Sequence, residues 1–98
     1  MEEILRSLDG SRIPSKSGRV WYSVTVAPRR NVTLEHSERE PSVLAWDRIA
    51  RVYKALAGME ITTGKVDRLL GNHPADRNAS TMCALVLAMQ DPTRARRG

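Results

Sequence analysis

From Arg19 to Ala27 the chain alternates: Val20, Tyr22, Val24 and Val26 fall on one side, and Trp21, Ser23 and Thr25 on the other. A period of two with this β-branched content predicts a strand. Pro28-Arg29-Arg30-Asn31 has turn chemistry, and Val32, Leu34 and His36 resume the alternation. Residues 19–36 therefore predict a β-hairpin with Arg29 and Arg30 at its tip. A lone hairpin is marginal in water, so this one needs an apolar surface to pack on.

After the charged stretch 37–40 the period changes. Pro41-Ser42 reads as a helix entry with a serine cap, and Val43, Trp46, Ile49, Ala50, Tyr53 and Leu56 recur at spacings of three and four. This predicts a helix over about 43–57, stopped by Gly58. A second, short helix follows, with a threonine cap at Thr62 or Thr63, Val66, Leu69 and Leu70 as its inner face, and Gly71 as a left-handed terminator. Residues 72–77, containing Pro74, form a connecting loop. Asn78 or Ser80 caps a last helix running to about Gln90, which Asp91-Pro92 ends. From Ala79 to Gln90 there is no charged residue. A helix apolar on most sides is buried on most sides, here either beneath the hairpin or against a second subunit. At the start of the chain, residues 2–8 carry Ile4, Leu5 and Leu8 on one face of a short helix that Asp9-Gly10 ends, and residues 11–18 read as a loop.

A length of 98 residues supports one core rather than two. The expected organisation is a single domain over 1–93 and a basic tail over 94–98. The expected fold class is α+β, an N-terminal β-hairpin packed on a C-terminal three-helix unit over 42–90. The apolar fraction of 41% and charged fraction of 28% are those of a folded chain. Phe is absent, so aliphatic side chains and Met must fill the interior. The single cysteine, Cys83, sits in an apolar run and has no intramolecular partner, which favours a reducing, cytoplasmic setting. Met1-Glu2-Glu3 does not resemble an export signal, and no apolar run is long enough to span a bilayer.

The net charge of +5 points toward phosphate. Residues 1–40 hold seven basic and six acidic groups, and residues 41–93 hold six and five. The remaining excess is Arg94, Arg96 and Arg97, which are candidate phosphate contacts.

The segment Ile61-Thr62-Thr63-Gly64-Lys65-Val66-Asp67-Arg68-Leu69-Leu70-Gly71, set between a long amphipathic helix and Asn78-Ala79-Ser80-Thr81, resembles the three-helix core of helix-turn-helix and winged-helix DNA-binding domains. The likeness covers residues 42–90. In that family a short capped helix supports a following helix whose first turn enters the major groove. The resemblance implies that Thr63, Lys65 and Arg68 touch phosphate, and that Arg77, Asn78, Ser80 and Thr81 begin the reading of bases.

Candidates for catalysis are His36, His73 and Cys83, with Glu35, Asp67 and Asp76 as partners. They show neither zinc spacing nor a glycine-rich phosphate loop, and a thiol in an apolar helix is poorly placed to ionise. The expectation is a non-catalytic DNA-binding regulator of transcription that uses no metal or cofactor. The competing expectation is an interaction module, a homodimer or other subunit, that uses the 79–90 helix as its interface.

Overall fold

A computed structural model describes residues 1–71 and 79–97. Its elements run in the order α1 (Glu2–Leu8), β1 (Ser11–Pro14), β2 (Trp21–Ala27), β3 (Asn31–His36), β4 (Arg39–Ala45), α2 (Trp46–Ala55), α3 (Thr63–Leu69), α4 (Ala79–Gln90), a 3-10 turn (Pro92–Arg94) and β5 (Arg96–Arg97). The strands form one sheet of order β4-β3-β2-β1-β5, and each neighbouring pair is antiparallel.

The alternation in β2 and β3 sorts the side chains as expected. Tyr22, Val24, Val26, Val32 and Leu34 are buried beneath the helices, while Ser23 and Thr25 face outward. Arg29 holds the hairpin turn in the left-handed region at φ 65°, and the Arg30 N–H donates to the Ala27 carbonyl at 3.0 Å. The chain entering from α1 extends the pairing along the β1 side of β2. Gly10, at φ 77°, donates its N–H to the Val24 carbonyl (2.9 Å), and the Val26 N–H donates to Asp9 Oδ1 (2.9 Å). A side chain thus stands in for the strand partner that β1 is too short to supply.

Two expectations are corrected here. Residues 39–45, which the sequence divides among a charged stretch to 40, a helix entry at Pro41-Ser42 and a helix from 43, are strand β4, with Ser42 opposite Leu34, Val43 opposite Thr33 and Leu44 opposite Val32. The helix begins at Trp46. Leu44 is buried and Val43 exposed, so the segment fits a period of two as well as it fits a helix, and the open edge of β3 decides between them. Pro41 is tolerated because β4 lies at the sheet's edge. Residues 11–14, taken for loop, are β1, whose partners are β2 and the distant β5.

The architecture of a hairpin on a three-helix unit is accordingly replaced by an α+β fold with, among the described residues, a five-stranded antiparallel sheet and four α-helices, the first of which precedes the sheet.

The helices cover one face of the sheet. Thr62 caps α3, its hydroxyl accepting from the Lys65 N–H at 3.2 Å. In α4, Thr81 to Met89 are buried apart from Leu87, which is partly so, because α4 packs against α2, α3, β1 and the 3-10 turn. Each large side chain removed from water there contributes about 1.5–3 kcal/mol. This explains the uncharged run: α4 is the central helix of the chain's own core. Most of its surface is occupied by its own domain: in the helix that the resemblance assigns to a groove, Ser80 in the first turn and Gln90 in the last are exposed, and Ala79 and Leu87 are half-buried.

Candidate nucleic-acid interface

The first and last strands meet at one edge of the sheet. Asp91-Pro92 stops α4, the Asp91 carboxylate accepts from the Thr93 N–H at 3.3 Å, and the extended Ala95 returns the chain alongside β1. Arg96 then lies opposite Arg12, and Arg97 opposite Ser11. This pairing joins two segments, 11–21 and 93–97, that together hold Arg12, Lys16, Arg19, Arg94, Arg96 and Arg97 and no carboxylate. All but Arg94 are exposed; Arg94 is half-buried, and its Nε is buried without a hydrogen-bond partner.

Trp21 lies on the outer face of the sheet, opposite Pro14, and is half-buried. The Arg96 guanidinium carbon lies 5.2 Å from the centroid of its ring, within cation–π range. The other aromatic residues belong elsewhere: Tyr22 is in the core, and Trp46 and Tyr53 pack against it. Across the sheet from Arg96 the outward row runs Arg12, Ser23, Glu35. Positive charge is thus concentrated at β1 and β5, and an acid stands on β3.

Next to this edge is a surface cavity of about 500 Å³ lined by Ser15, Lys16, Ser17, Thr63 and Ser80. The β1–β2 loop is turned by Gly18 at φ 77°; the Ser15 and Ser17 hydroxyls are 3.2 Å apart, and Ser17 Oγ accepts from the Arg19 N–H at 3.4 Å. Thr63 and Ser80 come from the first turns of α3 and α4, so the helices bring hydroxyls to the lysine loop. Cys83 lies one turn deeper. Burial raises its thiol pKa above the ordinary value, against the opposing effects of a hydrogen bond with Thr63 and of the positive charges of Lys16 and Arg94. The thiol is therefore held neutral, which suits a core side chain rather than a nucleophile.

Of the residues singled out from the sequence, Thr63 and Ser80 meet in the cavity, and Arg94, Arg96 and Arg97 lie on the β1–β5 edge rather than on a free tail. Thr81 is buried at 8% exposure. Lys65 is turned to its own helix entry, its Nζ donating to the Glu60 carbonyl at 3.0 Å. Arg68 is exposed in the last turn of α3. Arg77 and Asn78 lie outside the described residues, as do His73 and Asp76. The sequence reading missed Arg12, Lys16, Arg19 and Trp21 as site residues. Two signals were there: Trp21 on the outer side of the alternation, and a segment 11–21 with three cations and no acid.

Among the described residues, no group of three or more His, Cys, Asp or Glu side chains is placed to hold a metal ion. His36 stands against Tyr22, with ring centroids 6.1 Å apart, and its Nδ1 accepts from the Glu38 N–H at 3.2 Å. No described helix is long and apolar enough to cross a membrane. No family model matches the chain, and no curated protein or solved structure matches it either.

Proposed function

We propose that this chain is a non-catalytic nucleic-acid-binding protein whose contact surface is the β1–β5 edge and the sheet face beside it. The observation that carries the reading is the pairing of β1 with β5, which gathers six basic side chains into two adjoining segments free of carboxylates. A field of one sign attracts a polyanion, and flexible Lys and planar Arg groups on a sheet edge suit irregularly spaced phosphates. The hydroxyls of Ser15, Ser17, Thr63 and Ser80 beside Lys16 add neutral donors of the kind that satisfy phosphate oxygens. The interaction-module alternative has less of α4 to use than its twelve residues, since Thr81 to Met89 are buried within the chain apart from half-buried Leu87.

The test is fluorescence anisotropy of labelled DNA and RNA, single-stranded and duplex, titrated with folded protein over a salt series. Binding whose logarithm falls linearly with the logarithm of salt, with a slope corresponding to about three or more phosphate contacts, is expected. No binding at low salt by a protein shown to be folded would end this reading.

A further inference from the structure

Resting on that reading, we infer that the surface takes single-stranded nucleic acid, with an unpaired base stacked against Trp21 and its flanking phosphates held by Arg12 and Arg96. Three observations lead there. First, Trp21 is the aromatic residue that the core does not use. It lies outward, half-buried, with one guanidinium against its ring and a second, on Arg12, in the same row of the sheet as Arg96. Aromatic–base stacking is tolerant of sequence because every base has a π-face, and arginine beside the ring supplies the charge that the strand's phosphates require.

Second, the outward residues next to Trp21 are small. Along β2 from Trp21, Ser23 and Thr25 with Thr33 beside them leave a level surface along which a strand can lie; the one acid in these rows, Glu35, stands beyond Ser23 on β3, so the path runs along β1 and β2, and the large exposed apolar group on this face, Val43, stands on β4 at the far edge. Third, the shape is wrong for reading a duplex. A major groove about 12 Å wide admits a helix or a two-stranded ribbon. Five strands spaced about 4.8 Å apart make a face about 19 Å across. The central helix is buried from Thr81 to Met89 apart from half-buried Leu87, so it offers a groove little beyond its ends. Paired bases are therefore out of reach of Trp21, whereas unpaired bases are not.

The experiment uses the whole chain and three probes: a labelled 12-nucleotide oligothymidylate, its ribose counterpart, and a duplex of matched length. Anisotropy compares their affinities at one salt concentration. In Trp46→Phe protein, where Trp21 is the remaining tryptophan, emission is followed as unlabelled strand is added. The expected result is binding of at least one single strand about tenfold tighter than the duplex, with quenching of Trp21 that saturates in step with the anisotropy. Trp21→Leu should lose about tenfold in single-strand affinity while its circular dichroism and melting stay close to those of the parent. A preference for the deoxy or the ribo strand identifies the sugar, and either supports the inference. Duplex bound as tightly as both single strands, or Trp21 emission unchanged at saturation, overturns the inference and leaves the nucleic-acid reading standing. If none of the three probes binds, both fall.

Discussion

Arg96 in the last strand reaches across β1 to place its guanidinium 5.2 Å from the ring centroid of Trp21 in the second strand. This contact ties the final residues of the chain to the sheet and also keeps an arginine and an indole together on the surface proposed for the ligand. Its two roles separate by substitution. A cation–π contact at an exposed site contributes about 0.5–1 kcal/mol. Arg96→Ala should therefore lower stability by no more than about 1 kcal/mol in urea denaturation. Arg96→Ala should also reduce the salt slope of nucleic-acid binding by about 0.7–0.9, whereas Arg96→Lys should retain the slope.

Asp9 completes the pairing of β2 where β1 does not reach, by accepting from the Val26 N–H. Asp9→Ala leaves that N–H without its partner and should cost about 1–2 kcal/mol of stability. Asp9→Asn keeps an acceptor oxygen and should cost less. Chemical denaturation of the two variants gives the order, and equal losses would show that the bond is not what the carboxylate contributes.

Burial raises the Cys83 thiol pKa. The folded state therefore favours the neutral thiol, and this contribution to stability is intact below the unfolded-state pKa of about 8.5. It is lost as pH rises above that value toward the folded-state pKa, since the unfolded chain ionises first. Unfolding measured at pH 7 and pH 9.5 should show the parent losing stability relative to Cys83→Ala at the higher pH. A thiol reagent should label Cys83 only at the rate of opening.

Leu85 is fully buried at the centre of α4. Leu85→Ala should cost about 2–5 kcal/mol, through lost transfer energy and the cavity left behind. Leu87 is only partly buried, so Leu87→Ala should cost less. Thermal unfolding of the pair checks that α4 is buried where the fold places it.

The elements legible in the sequence were those whose pattern is local. Strands β2 and β3 followed from strict alternation, α3 from a threonine cap and Gly71, and the burial of α4 from twelve residues without a charge, which left open whether its own domain or a second subunit covers it. What stayed hidden was pairing between distant segments. Ser11–Pro14 has one large apolar residue, Ile13, and becomes a strand because β2 lies on one side and Arg96–Arg97 on the other. Arg39–Ala45 fits two periods, and the free edge of β3 chooses the strand. The candidate site was half legible for the same reason. The charges of Arg94, Arg96 and Arg97 were evident, but their meeting with Arg12, Lys16 and Trp21 depends on a β1–β5 pairing across more than eighty residues.

The most direct test of the central claim compares two triple variants that each reduce the net charge from +5 to +2. One removes Arg12, Arg96 and Arg97 from the β1–β5 edge; the other removes Arg30, Arg51 and Lys54, exposed residues on the hairpin turn and α2, each replaced by Ala. Anisotropy titrations of both against the same labelled strand at fixed salt separate a local surface from overall charge. The account predicts that the edge variant loses at least tenfold more affinity than its charge-matched counterpart. Equal losses would contradict it, because binding would then follow net charge and not the surface that β1 and β5 build.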